Sequence, residues 1–167
     1  TARELAVWLA AQHDIGKLSP AFAVQVPALA RQMTVSGLPI SSGIAGTEER
    51  RLARHEAVSY LAIADWLAAT NDVRPTTARQ LASVLAAHHG LPPDAAAVNW
   101  VRVRPHLAGD GSWHHARVEL IEAMTGATRV DVAGWRDLDL SQPTLALLSA
   151  IVIVSDWIAS SDHCPLA

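Results

Sequence analysis

Apolar positions recur at helical spacing along this chain from end to end. Leu5, Leu9 and His13 fall at i, i+4 and i+8, which predicts a helix from Ala2 to about Asp14. Gly16 supplies a C-terminal stop. Ser19-Pro20 has the form of an N-cap followed by proline in the first helical position, opening a helix to about Met33. Residues 34–47 are rich in Gly and Ser and predict a loop. Thr47, with Glu48 and Glu49 behind it, opens a long helix to about Ala69. Its stripe is Leu52, Val58/Ser59, Ala62 and Trp66, and His55 lies on it. Thr77-x-x-Gln80 reads as a capping box for a helix facing inward with Leu81, Val84, Leu85 and His88. Gly90 and Pro92-Pro93 stop that helix. A long connection over 91–111 leads to a helix from about Ser112 to Met124 and a turn-rich stretch to Ser141. Ser141-Gln142-Pro143 then opens the last helix, to about Ser160.

Composition narrows the class. With 167 residues, half of them hydrophobic, the chain can bury a core as one domain over 1–167. Leu and Ala dominate while Phe and Tyr occur once each, which favours an all-α fold. A net charge of −3 gives no global basic signal, so a polyanion would have to be met by a local patch or a metal. The single cysteine, Cys164, excludes an internal disulfide and a zinc–thiolate cage and points to an intracellular protein. There is no signal peptide. The longest apolar run, Leu145 to Ala159, is interrupted by Ser149, Ser155 and Asp156. It falls short of the ~20 apolar residues that span a bilayer and reads as a buried helix. The opening at Thr1, already inside a helix, reads as an excerpt of something longer.

The polar residues on apolar faces carry the chemistry. A lone His13 is explained by a core histidine bonded to a carbonyl, but Asp14 beside it changes the balance. A buried ionised carboxylate needs a cation or several donors. At a fraying C-terminal turn both side chains reach one centre. His88-His89 repeats the arrangement before Gly90. His88 is in register with the inward face, whereas His89 fits a surface histidine as well as a ligand. Asp156 lies i+4 from Val152 and i+8 from Leu148 in the most apolar helix, with no basic residue within a turn, so a metal is its economical partner. Asp65, in the echoing segment around Trp66, is off the His55 stripe and reads as a surface residue.

His13, Asp14, His55, His88, His89 and Asp156 therefore form a candidate set of imidazoles and carboxylates around one or two divalent ions. Such ligands suit iron, manganese, cobalt, nickel or zinc. Asp14 is the natural bridge, since a carboxylate can give one oxygen to each ion. Lys17, one turn on, is either a phosphate-holding catalytic lysine or a solvated surface one. Arg50, Arg51 and Arg54 flank His55, and Arg102 and Arg104 lie in the long connection; they form either an anion-binding rim or ordinary solvated faces. His106, His114, His115 and His163 read as exposed.

HDIGK at 13–17, RHEAVSYLA at 54–62, AAHHG at 86–90 and SDWIASS at 155–161 together resemble the HD-superfamily nuclease domain of the CRISPR-associated helicase–nuclease of type I interference systems. His-Asp alone is weakly specific; the ordered set of four is strong. The resemblance implies a single globular all-α HD domain that cuts single-stranded DNA in the prokaryotic cytoplasm. It implies a superfamily 2 helicase in cis or in trans, and recruitment by a crRNA-guided surveillance complex. It implies one metal held by His13, Asp14 and Asp156 and a second held by Asp14, His55, His88 and His89. The family's further histidine, on a helix upstream of the His-Asp pair, has no counterpart among Thr1–Gln12. Two rivals stand beside this reading: an HD phosphohydrolase acting on nucleotides or cyclic dinucleotides, and a non-catalytic docking module.

Overall fold

The computed structural model describes residues 1–70 and 72–161, so His163 and Cys164 lie outside the described residues. The described chain is all-α, with ten α-helices and no strand. They are α1 (Ala2–Gln12), α2 (Pro20–Ala23), α3 (Pro27–Val35), α4 (Glu48–Leu52), α5 (His55–Thr70), α6 (Pro75–Ala86), α7 (Ala95–Arg102), α8 (Pro105–Ala108), α9 (Ser112–Thr128) and α10 (Gln142–Ala159). Short 3₁₀ turns occupy Ile15–Lys17, Ile44–Gly46 and Val132–Trp135.

The main core joins α1, α5, α6, α9 and α10. Leu9, Ile63, Leu67, Leu81, Leu85, Ile121 and Val152 meet there with no exposure. Trp8 stacks on Trp66 at 6.1 Å and meets Trp135 edge-on at 5.1 Å, while its indole N–H donates to Thr125 Oγ1 at 2.9 Å. A smaller cluster of Ala21, Ile44, Ala57, Val58, Val101 and Leu107 holds α2, α7 and α8 against the other side of α5. Arg117 clamps these parts: its buried guanidinium donates to the carbonyls of Leu18, Ala108 and Gly109. Burial pushes its pKa down to about 10, which leaves it a cation at neutral pH.

Several boundaries differ from the sequence expectation. The helix expected from Pro20 to Met33 is two helices, because Pro27 cannot supply an N–H and drives Val26 to an extended φ of −121°. The long helix expected from Thr47 breaks after Leu52, where Ala53 turns into the smaller cluster and leaves Leu52 half exposed. Thr77 and Gln80 are not a capping box. Pro75 already begins α6, and the Thr77 hydroxyl and Gln80 amide donate instead to the carbonyls of Leu138 and Leu140. The connection over 91–111 contains two helices, the first capped by the Asp94 carboxylate, which accepts from the Ala97 N–H at 2.7 Å. The last helix is not buried: only Leu148 and Val152 of α10 are, while Leu147, Val154, Trp157 and Ile158 are half exposed or more. By length and composition α10 is apolar enough to cross a membrane, the one such helix among the described residues; here it packs on α1 and α6.

Candidate metal centre

The site forms where the chain leaves α1. His13 keeps helical dihedrals as the C-cap, and Asp14 departs at φ −98°, ψ 9°. The two side chains can then converge, which a regular helix would not allow for neighbours about 100° apart. The following 3₁₀ turn lies against the first turn of α5. Gly16 is buried there without a positive φ, and a Cβ on it would stand 2.0 Å from the His55 carbonyl oxygen. Close backbone approach is therefore its role, and not the helix stop expected of it: α1 already ends at Gln12, with His13 as its C-cap. Ser59 locks the contact: its hydroxyl accepts from the Gly16 N–H and donates to the His13 carbonyl, both at 2.9 Å.

That contact brings His55, the first residue of α5, to face Asp14. His88 and His89 follow the end of α6, in the turn that Gly90 closes with a φ of +112°. Asp156 comes from the last turn of α10. Two groups of potential ligand atoms result, each gathered within 4.8 Å: His55, His88 and His89, and His13, Asp14 and Asp156. Asp14 faces both. Its Oδ1 lies 3.4 Å from His55 Nε2 and 3.6 Å from His88 Nε2, and its Oδ2 lies 3.2 Å from His13 Nε2. His13 Nε2 is also 3.4 Å from Asp156 Oδ1.

The rings are aimed. Nδ1 of His13 sits 2.7 Å from the Ala10 carbonyl oxygen, and Nδ1 of His88 2.8 Å from that of Leu85. Each carbonyl fixes the proton on Nδ1 and leaves Nε2 as a lone-pair donor toward the centre. Nε2 of His55 and of His88 stand 3.1 Å apart. Burial lowers the His88 pKa, which keeps that ring neutral. Burial also works to lower that of His13, but the Asp14 carboxylate, the Ala10 carbonyl and the Asp156 charge outweigh it and raise it. Asp14 goes the other way. Burial works against its charge, yet His13, His55 and Lys17 hold its pKa far below the ordinary carboxylate range.

Lys17 is the nearest cation, with its ammonium 2.6 Å from Asp14 Oδ2. Asp65 is on the surface near Arg102, as the sequence suggested, and His106, His114 and His115 are exposed away from the cluster. His89 is exposed too, yet its ring lies 4.2 Å from that of His88. Three residues that the sequence did not single out as site residues join it. Ser59 braces it from below. Phe22 meets the His55 ring edge-on at 5.7 Å. Glu56 is buried with Oε2 3.4 Å from His55 Nδ1, and Arg54 holds it in the charged form.

Whether these residues fit a metal can be judged from their unpaired atoms. His13 Nε2 and Asp14 Oδ1 are buried and make no hydrogen bond, although four Nε2 or carboxylate neighbours surround them. Buried lone pairs converging without a donor are costly unless a cation sits among them. Imidazole and carboxylate donors without a thiolate are the ligands of a divalent transition metal. The residues fit, with His/Asp groups that could hold one or two ions.

An all-helical domain that gathers histidines and aspartates from separate helices around a His-Asp doublet defines the class of HD-type, metal-binding phosphohydrolases. The family described as "Cas3, HD domain" matches residues 1–164, and the chain belongs to it. A solved structure described as "Crystal structure of CRISPR-associated protein" is similar over 96% of this chain, at 28% identity and a TM-score of 0.76. The chain spans 17% of the length of that protein. No curated protein matches in sequence. The family is one of CRISPR-related, metal-dependent phosphohydrolases and nucleases.

Proposed function

We propose that this domain hydrolyses phosphodiester bonds of single-stranded DNA in CRISPR interference, in the prokaryotic cytoplasm. Its partners would be a helicase domain, in cis or in trans, and a crRNA-guided surveillance complex. The observation that carries the reading is the placement of Asp14, whose two oxygens face different ligand groups. His13, Asp14 and Asp156 would hold one ion, and Asp14, His55, His88 and His89 the other. Iron, manganese, cobalt and nickel suit the donors best, with zinc a further candidate. A divalent ion bound here supplies Lewis acidity to the attacking water and to the phosphate oxygens.

The chain's own residues do the rest. Imidazoles whose Nδ1 is held by a backbone carbonyl, as in His13 and His88, present Nε2 to the centre in a fixed orientation. Lys17 brings an ammonium to the rim of the cluster, within reach of a phosphate oxygen beside Asp14. The cleft next to His55 and His89 is open to solvent, which suits a polymer better than the enclosed pocket a nucleotide hydrolase needs.

The test is the full chain loaded with manganese, nickel, cobalt or iron and offered single-stranded DNA, nucleotides and cyclic dinucleotides. Cleavage of the strand, lost in Asp14→Ala together with the bound metal, supports the nuclease. Nucleotide hydrolysis with the strand intact would turn the assignment to a phosphohydrolase. An absence of metal in both proteins, with no cleavage, would leave a docking module.

A further inference from the structure

Beside the cluster lies a cleft of about 570 Å³, lined by Phe22, Arg50, Arg51, Arg54, His55 and His89 among others. Three guanidiniums in one small cleft repel one another unless anions are shared among them. Two have anions already. Arg54 is held by the buried carboxylate of Glu56, and Arg51 pairs with Glu48 at 3.4 Å on the outer face of α4. Arg50 is different. It is half-buried, pairs with no carboxylate among the described residues, and its Nε is buried without a hydrogen bond. A partly desolvated guanidinium left open toward a cleft is a fork for a bidentate oxyanion. His55 and His89 line the same cleft, so an anion held by Arg50 would lie next to the metal centre rather than in it.

The same cleft has an aromatic lining residue. Phe22, the one phenylalanine of the chain, is half-buried, with its edge-on contact to His55 fixing one side of the ring. Lys17 stands 5.8 Å from the ring centroid, so the same ring adjoins the ammonium that contacts Asp14. A cation for phosphate and a ring for a base lining one cleft make the pairing that single-stranded nucleic acid uses. Duplex DNA keeps its bases stacked inside and cannot offer one to Phe22.

We propose that this cleft is the seat of the nucleotide next to the scissile phosphate. Arg50 grips its phosphate and Phe22 stacks on its base, so the cleft selects an unpaired strand. The assignment rests on the nuclease reading above and adds which residues choose the strand.

Binding of a labelled oligothymidylate to the full chain in EDTA, followed by fluorescence anisotropy across a salt series, separates the two roles. Arg50→Ala should weaken binding roughly ten-fold and reduce the slope of log K against log salt by about 0.7, the share of one phosphate on a single strand. Arg50→Lys should restore most of the slope. Phe22→Ala should weaken binding by a similar ~5- to 100-fold with the slope unchanged, because stacking carries no counterions. Phe22→Trp should bind at least as well as wild type. Arg79→Ala, in a separate cleft between α6 and α7, should change nothing. Helical content and metal uptake, measured on each variant, show that fold and cluster are intact. A wild type that cleaves the strand while Arg50→Ala and Phe22→Ala bind as it does would overturn the cleft and leave the nuclease standing. A wild type that neither binds nor cleaves single strands with any of the metals would overturn both.

Discussion

At the scale of single residues, Asp14 holds the site together. It faces three imidazoles and one ammonium with a single carboxylate, and its charge is the reason they tolerate one another. Replacing it with Asn keeps the volume and removes the charge. Metal affinity, read by calorimetry, should fall by about 100-fold or more, since even indirect supports of a ligand are worth 10- to 100-fold. Helical content should hold, because the apolar faces of α1 and α5 are untouched. Arg54 and Glu56 make a second, pH-dependent case. The pKa of Glu56 is held low by Arg54 against the opposing effect of burial. A carboxyl lowered in the folded state stabilises above its unfolded pKa, near 4.5, and loses that contribution as pH falls through the folded value. Arg54→Ala strips the buried carboxylate of its cation and should cost ~2 kcal/mol at pH 7. The gap from wild type should narrow in urea melts below pH 4; an equal gap at every pH would show that Arg54 acts by packing alone. The residues legible in the sequence were those whose neighbours along the chain gave them away: His13 with Asp14, His88 with His89, Asp156 amid an apolar run. Ser59, Glu56 and Phe22 were not, because their roles come from partners the fold brings to them, even though Glu56 and Ser59 stand in the same stretch as His55. Ser59 acquires its role from Gly16, 43 positions away.

At the scale of elements, the meeting of the 3₁₀ turn with α5 sets the geometry. Gly16→Ala would push a methyl to 2.0 Å from the His55 carbonyl oxygen and 2.6 Å from the Ser59 nitrogen, both backbone atoms that cannot swing aside. The turn must lift away from α5, at a cost of about 3 kcal/mol or more. His13 and Asp14 would then part from His55, so metal binding should fall along with the melting temperature. A variant with lowered stability and wild-type metal affinity would show that the turn does not position the ligands. Helix starts were readable at Pro20, Thr47 and Ser141, but those at Pro27, Asp94 and Pro105 were not, since proline and aspartate stand as readily in turns. Ser141 does cap α10, accepting from the Thr144 N–H at 3.4 Å. The break between α4 and α5 was hidden, because Ala53 and Arg54 are ordinary helix formers. There the smaller core overrides propensity by drawing Ala53 inward. The capping-box pattern at Thr77 failed for the opposite reason: a correct local signature, outbid by proline two residues earlier and by carbonyls brought from residues 138 and 140.

At the scale of the whole molecule, the candidate ligands come from α1, α5, the turn after α6, and α10, elements otherwise joined through apolar packing. The docking of α10 is the least secure of these. It contributes Leu148 and Val152 to the core, while most of its remaining apolar side chains face outward. A cation shared by Asp156 and His13 would therefore fasten the last helix to the first. Ligand binding to the folded state alone stabilises by RT ln(1 + [L]/Kd), about 2.7 kcal/mol at a hundred-fold excess over Kd. For a chain of this size each kcal/mol moves the melting temperature by roughly 2–4 °C. Adding manganese or nickel to the EDTA-stripped protein should thus raise it by about 5–10 °C. Asp156→Ala should lose much of that rise while its metal-free melting point stays near that of the wild type, because the contacts its carboxylate makes are polar, with His13 and the Ser160 hydroxyl. Amide exchange in α10 should slow on metal addition in wild type and not in the variant. Equal metal-induced shifts in both proteins would mean that Asp156 binds no ion, and that α10 is fastened by its two buried side chains alone.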